Sequence, residues 1–251
     1  MGVKIIVCIK EVPDTEAYLK IGADQKSVVE SNVTFVINPY DEYAIEASLR
    51  IAETAGGETT AVCLGTERAD EVLRSAVAMG VQKAVRIPVD RSPADSLAAA
   101  RMLAEVLKTL EFDLLLLGKE TIDDGSQALG PMLGELLGVP CISLATKLEV
   151  ADGRVTVERE ADGGVAVFEA PLPCIVTAHK GLNEPRYPSL RGKMMAKNAA
   201  IEIRAASAVD SKIEIVSMAN PPARGAARVV GEGVGAVPEL VRLLREEAKA
   251  I

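Results

Sequence analysis

The stretch FDLLLLGKETIDDGSQALG, Phe112 to Gly130, decides the fold. Its first half is an unbroken apolar run, the composition of a short strand buried on both faces, and it predicts a strand over Asp113 to Leu117. Its second half is polar, holds Gly118 and Gly125, and leads into apolar residues at spacings of three and four: Leu129, Met132, Leu133, Leu136 and Leu137. That spacing predicts a helix from about Ala128 to Leu137, with Pro131 tolerable only near its first turn. A strand, a glycine-bearing loop and a helix in succession form the repeating unit of an α/β sheet.

The same unit recurs toward the N-terminus. Strands are expected at Val3 to Ile9, Thr59 to Leu64 and Ala84 to Pro88. Helices are expected from about Asp41 to Glu53, from Glu67 to Met79 with Thr66 as N-cap, and from about Asp95 to Leu110. After Pro140 the period changes to two. Leu144 to Val150, Arg154 to Glu160 and Val165 to Glu169 alternate around Asp152-Gly153 and Asp162-Gly163-Gly164, which predicts a β-meander. An apolar strand at Cys174 to Ala178 is followed by a polar segment with two prolines and no period, read as a long exposed loop. The tail holds a strand-like Lys212 to Val216, the breaker Pro221-Pro222 and an amphipathic helix from about Pro238. It is too thin to form a core of its own and is expected to pack on the main domain or on another chain. The expected division is residues 1–198, an α/β domain with the meander at 141–178 and the loop at 179–198, and an arm at 199–251.

Composition removes several functions. The chain carries 28 basic and 36 acidic side chains, a net charge of -8, one histidine and no tryptophan, so a histidine-built metal site and an aromatic, basic nucleic-acid groove are both excluded. Cys8, Cys63, Cys141 and Cys174 sit singly in apolar stretches and read as buried thiols of a cytoplasmic protein. The opening MGVKIIVCIKEVPD is neither a signal peptide nor a spanning segment, so no direct membrane insertion is expected.

Ligands of open α/β sheets bind beyond the carboxyl ends of the strands, where helix N-termini offer free N–H groups. The loop Gly118 to Gly130 is therefore a candidate phosphate site, with Thr121 or Ser126 adding hydroxyls; the alternative is an ordinary loop capped by Asp123, Asp124 or Ser126. Asn38-Pro39-Tyr40-Asp41 is a second loop of that edge, in which Asn38 or Asp41 would bond a ribose or adenine, or simply cap a helix. Leu64-Gly65-Thr66 would form a third wall. Gly231 to Ala236 satisfies G-x-G-x-x-A, yet too little chain follows for a second strand and an acidic ribose contact, so it reads as a linker. His179 has no positioned partner beside it and no nucleophile–base pair stands out, which argues for a binding protein rather than a catalyst.

Five runs resemble the β subunit of electron-transfer flavoproteins: VCIKEVPD, INPYDEYAIEASLR, LLLLGKETIDDG, VEREADGG at Val157 to Gly164, and GLNEPRYPSLRGKMMAKN at Gly181 to Asn198. They fall in order along essentially the whole chain. The resemblance implies a Rossmann-like doubly wound sheet of adenine-nucleotide-binding type, with a small β-meander and an extended C-terminal arm packing on the partner subunit. It implies a heterodimer whose α subunit supplies most contacts to FAD while the β subunit binds AMP. Such a heterodimer accepts electrons from an acyl-CoA dehydrogenase or similar flavoenzyme and passes them to a quinone oxidoreductase, without catalysis by this chain alone.

Carried over residue by residue, the cofactor contacts fall on Cys8, Asn38, Pro39, Tyr40, Asp41, Leu64, Leu117, Gly118, Lys119, Glu120, Thr121, Ile122, Asp123, Asp124, Gly125, Ser126, Gln127 and Ala128. Tyr40 matches an aromatic that approaches the flavin. The docking segment falls on Asn183, Glu184, Pro185, Arg186, Tyr187, Leu190 and Arg191, with Leu190 as the apolar anchor and Arg186, Arg191 and Lys193 steering toward acidic surface. Another branch of the family holds a second FAD in place of AMP and oxidises NADH; Gly130-Pro131 leans that way, while Asn183 to Tyr187 and Pro221-Pro222 lean toward AMP. A stand-alone adenine-nucleotide sensor shares the general fold, but the loop and the tail argue against it.

Overall fold

The structure, a computed structural model, describes residues 2–91, 93, 95–223 and 226–251. The chain runs β1 (Val3–Ile9), β2 (Glu11–Pro13), β3 (Lys20–Ile21), β4 (Val28–Val29), β5 (Phe35–Ile37), α1 (Pro39–Ala55), β6 (Gly57–Gly65), α2 (Ala69–Met79), β7 (Lys83–Pro88), α3 (Ser96–Leu107) and β8 (Leu114–Gly118). It continues through α4 (Leu129–Leu137), β9 (Cys141–Ala145), β10 (Lys147–Ala151), β11 (Arg154–Ala161), β12 (Gly164–Pro171), β13 (Cys174–Ala178), α5 (Leu190–Ala196), β14 (Glu202–Ile203) and α6 (Val237–Glu246).

Seven strands form one sheet in the order β14-β7-β6-β1-β8-β13-β9, every neighbouring pair parallel. Alternate residues of each central strand enter opposite cores, as the period of two requires. Ile5, Val7, Leu114 and Leu116 pack with Ile45 of α1 and Leu73 of α2, whereas Ile6, Cys8, Leu115 and Leu117 pack with Leu103 of α3 and Leu133 of α4. Burial of Leu114 to Leu117 on both sides is what the unbroken apolar run demanded. The fold is therefore doubly wound, and the strand order reverses between β1 and β8, leaving a crevice at their carboxyl ends.

The meander is the sheet β10-β11-β12, but its start differs from the alternation in the sequence. The run Leu144 to Val150 is split: Cys141–Ala145 is an edge of the main sheet and Lys147–Ala151 opens the meander. Leu144 stands at φ 68, and its N–H donates to the Thr177 hydroxyl at 2.9 Å. This left-handed step redirects the chain from one sheet to the other, which a polarity pattern does not record.

Two further expectations are corrected. The polar segment 179–198 is not all loop, because Ser189 accepts the Gly192 N–H at 3.0 Å and caps the seven-residue α5. A Cβ on Gly192 would overlap the Ala78 carbonyl, so the absence of a side chain there seats α5 against the end of α2. Lys212 to Val216 is not a strand. It lies along the surface with no strand beside it, held by Lys212 N–H to Asp95 Oδ2 at 2.8 Å, followed by Met218 N–H to the Gln25 carbonyl at 2.7 Å.

Thr177→Val keeps the shape of a side chain that is 2% exposed but leaves the Leu144 N–H without an acceptor. The expected loss is about 1–3 kcal/mol of unfolding free energy in a urea titration, with Thr177→Ser close to wild type.

Candidate functional site

The crevice between β1 and β8 opens into a cleft of about 750 Å³ including the solvent at its mouth. Its inner walls are apolar, built from Cys8 and Ile9 of β1, Leu64 of β6, Leu117 of β8, and Ala99 and Leu103 of α3. Polar groups converge at the other end. Lys10, Ser96, Thr121, Asp124, Ser126 and Gln127 line it, with the Ser96 and Ser126 hydroxyls 3.0 Å apart. Ala128 stands at the N-cap of α4, no side chain caps that helix, and its first residues, Ala128 and Leu129, line the cleft.

Two buried side chains build this arrangement. Asp41 is 3% exposed, and its two oxygens accept the Lys10 N–H and the Gly118 N–H, each at 2.8 Å. Asn38 is fully buried; its amide donates to the Glu120 carbonyl at 2.9 Å and accepts the Ile122 N–H at 3.2 Å. The helix cap expected of these residues is not what they do, and Asp41 also lines the cleft. Asn38 makes no side-chain cap, and both residues hold the loop after β8. Gly118 is required there by close approach, since a Cβ would lie 2.5 Å from Asp41 Oδ1 and 2.6 Å from Tyr40 Cβ.

Of the other residues expected to contact a cofactor, Lys119 and Glu120 line the cleft and pair with each other at 2.6 Å. Gln127 donates to Glu120 at 2.7 Å. Pro39, Tyr40, Ile122, Asp123 and Gly125 lie outside the cleft lining. Pro39 faces a second groove beside the docking segment, Ile122 is 40% exposed, and Gly125 supplies a turn at φ 63. Tyr40 stands apart from the cleft, edge-on to His179 at 6.3 Å and 4.9 Å below the Lys119 ammonium.

Lys10 is the main residue that sequence reasoning missed. Its ammonium reaches Asp123 at 2.7 Å and Asp124 at 3.4 Å, tying the loop to the end of β1. Nothing in its immediate sequence separates it from other lysines; only its place one residue beyond a buried strand marks it. Ser96 and Leu129 were missed similarly, although Asp95, which accepts the Leu97 N–H, is a legible N-cap signal.

Apolar walls, hydroxyls and an uncapped helix suit a flat heteroaromatic ring with a polar tail, beside a Lys10 ammonium already paired with Asp123 and Asp124 and the carboxylates of Glu120 and Asp124. Burial pushes the Cys8 thiol well above its ordinary value and Cys63 and Cys174 up to about 12, which removes them as nucleophiles. His179 Nδ1 lies 3.0 Å from the Lys180 carbonyl.

The segment expected to dock divides into two halves. Tyr187 is 97% exposed and Leu190 78%, and Met194 and Met195, absent from the sequence expectation, extend the same apolar surface. Arg191 and Glu184 are exposed and Pro185 is half-buried. The steering role expected of Arg186 is corrected: its guanidinium faces the body and bonds Glu46 at 2.7 Å and Glu53 at 2.5 Å. Asn183 also turns inward, donating to the Tyr43 carbonyl at 2.9 Å.

A sequence family described as "Electron transfer flavoprotein domain" matches residues 25–231. The chain is 40% identical to the electron transfer flavoprotein subunit beta of Bacillus subtilis (strain 168), over 98% of this chain and 99% of that one. This chain belongs to the electron transfer flavoprotein β-subunit family. The protein of the same name from Mus musculus is 35% identical over 97% of each chain, and that of Syntrophomonas wolfei is 37% identical over 90% of this chain and 89% of its own. Membership as an electron transfer flavoprotein β subunit implies an α-subunit partner. Among the described residues no helix is long and apolar enough to cross a membrane. In this β subunit Gly231 to Ala236 lead through a 3-10 turn into α6 with no strand before them, as a linker would.

Asp41→Asn sets an NH2 group against a backbone N–H and is expected to lower the unfolding free energy by about 1–3 kcal/mol in a urea titration. Burial outweighs the hydrogen bonds to Lys10 and Gly118 and pushes the Asp41 carboxyl up to about 7. The folded chain then keeps a proton that the unfolded chain releases above about pH 4. Wild type therefore loses stability relative to the variant as pH rises from about 4 to about 7; a flat difference would mean that Asp41 is ionised throughout.

Proposed function

We propose that this β subunit binds AMP in the cleft at the β1/β8 switch point and, with its α subunit, forms a carrier that moves electrons from an acyl-CoA dehydrogenase or similar flavoenzyme to a quinone oxidoreductase. The observation that carries the nucleotide reading is the pairing of an apolar inner cleft with the uncapped N-terminus of α4 at its polar end. Leu64, Leu103 and Leu117 would flank the adenine, while Ser96, Ser126, Lys10 and the α4 N–H groups would face the phosphate. Asn38 acts by holding the loop, and Asp41, which holds the loop as well, also lines the cleft.

FAD is shared, with most of its contacts on the α subunit. From this chain Tyr40, Lys119 and His179 form the cluster offered to it, a ring with a cation and an imidazole against it. The flavin supplies the electron-transfer chemistry when bound, and this chain acts as a carrier subunit without independent catalysis. Tyr187, Leu190, Arg191, Met194 and Met195 form the surface that docks on the dehydrogenase, with Asn183 to Arg186 as its base.

Residues 199–251 serve as an arm on the α subunit. Val237, Leu240 and Val241 of α6 are 50%, 43% and 37% exposed, an apolar stripe that calls for a covering surface. The free and mostly buried cysteines suit a reducing compartment, and we assign the protein to the cytoplasm.

Nucleotide extraction from the purified heterodimer tests this reading, with one FAD and one AMP expected. Two FAD with reduction by NADH would identify the bifurcating branch, and adenine nucleotide without flavin would identify a sensor. Leu190→Ala is expected to slow electron transfer from an acyl-CoA dehydrogenase by about tenfold with the flavin absorption spectrum unchanged. Loss of flavin from that variant would contradict the docking role.

A further inference from the structure

We propose that Glu46, Arg50 and Arg186 form a clamp that fixes where the docking segment stands on the body, so that they position the electron-donating partner without touching it. The proposal depends on the docking role of residues 187–195 argued above.

The side chain of Glu46 is only 3% exposed, yet it lies between two guanidinium groups. One of its oxygens accepts Arg186 Nε at 2.7 Å and the Arg186 N–H at 3.2 Å. The other accepts Arg50 Nε at 2.6 Å and Arg186 Nη2 at 3.3 Å. Arg186 spends the rest of its fork on Glu53, about two turns beyond Glu46 along α1. Arg50 in turn donates to the Glu184 carbonyl at 3.2 Å, so both arginines grip the segment as well as the helix. Desolvation pushes the Glu46 carboxyl up, but the hydrogen bonds from Arg186 and Arg50 outweigh it and hold the group below its usual range.

Glu46, Arg50 and Glu53 recur at spacings of four and three and so share one face of α1. A buried carboxylate bonded on both oxygens permits little displacement, because moving Arg186 away leaves a desolvated charge unmatched. The far end of the segment is fixed independently, where Gly192 lets α5 press on the Ala78 carbonyl of α2. Between these two anchors lie Tyr187 and Leu190, the most exposed of its apolar side chains. Their height above the body is therefore set by the clamp at one end and the glycine contact at the other.

The test uses the α/β heterodimer, with trypsin cleavage after the exposed Arg191 and Lys193 as one readout. The other is steady-state electron transfer from a purified acyl-CoA dehydrogenase. Glu46→Gln is expected to speed cleavage by about tenfold and to raise the KM for the heterodimer several-fold, with kcat and the flavin spectrum unchanged; Arg186→Lys, which keeps the charge and loses the fork, is expected to fall between it and wild type. If Glu46→Gln does not assemble, Glu53→Gln loosens the outer half of the fork and should move both readouts in the same direction by less. Cleavage and KM both at wild-type levels would overturn the clamp. Faster cleavage with an unchanged KM would overturn the docking role while the clamp itself stood.

Discussion

Where the strand order reverses, β1 and β8 lie side by side while the chain leaves them toward different faces of the sheet, and their carboxyl ends have no further ladder to hold them in register. Asp41 takes the place of the missing ladder. Its carboxyl joins the N–H of Lys10, just past β1, to the N–H of Gly118, at the end of β8, inside the protein. Two buried N–H groups left unmatched would each cost about 1–3 kcal/mol, so the carboxyl fixes the width of the crevice as well as filling it. Gly118 is the counterpart of that contact, for any side chain there would push Asp41 and Tyr40 away.

The same helix holds both the candidate cleft and the proposed docking segment. Asn38 and Asp41, at the start of α1, hold the loop that follows β8. Tyr43, Glu46, Arg50 and Glu53, further along, hold residues 183–186. The cleft and the proposed docking segment are both held by one helix, α1. This explains why the run Asn38 to Arg50 is so particular in its polar residues: each of Asn38, Asp41, Glu46 and Arg50 bonds a chain segment distant in sequence rather than its own helix alone.

Much of the fold was legible because it follows from periods. Leu114 to Leu117 and the strands that flank them announce burial on both faces, and α1 to α4 lie where their apolar spacing puts them. The candidate cleft was legible at the level of loops, since a doubly wound sheet leaves only one place for them to meet. The roles of individual side chains were not. Whether Asn38 caps a helix or pins a loop depends on what stands 82 residues away, and whether Arg186 is a free charge or half of a clamp depends on Glu46, 140 residues away. The turn at Leu144 was illegible for a related reason, because its polar partner, Thr177, sits within a strand whose other residues are apolar. Patterns report which face of an element is buried, and long-range hydrogen bonds between single polar groups leave no period.

The polar residues spent inside this chain also separate its rigid parts from its exposed ones. Asn38, Asp41 and Glu46 are almost fully buried, and each is bonded at both of its side-chain heteroatoms, which is how a polar group in a core is made tolerable. The apolar residues left outside, Tyr187, Leu190, Met194 and Met195, lie on a segment held by the Arg186 clamp at one end and packed through α5 against α2. Polar groups inside and apolar groups outside invert the usual partition, and both inversions fall at the candidate cleft and the proposed docking segment. The inner set fixes distances and the outer set supplies contact area without requiring a reactive side chain, the division of labour expected when the redox chemistry belongs to a bound cofactor.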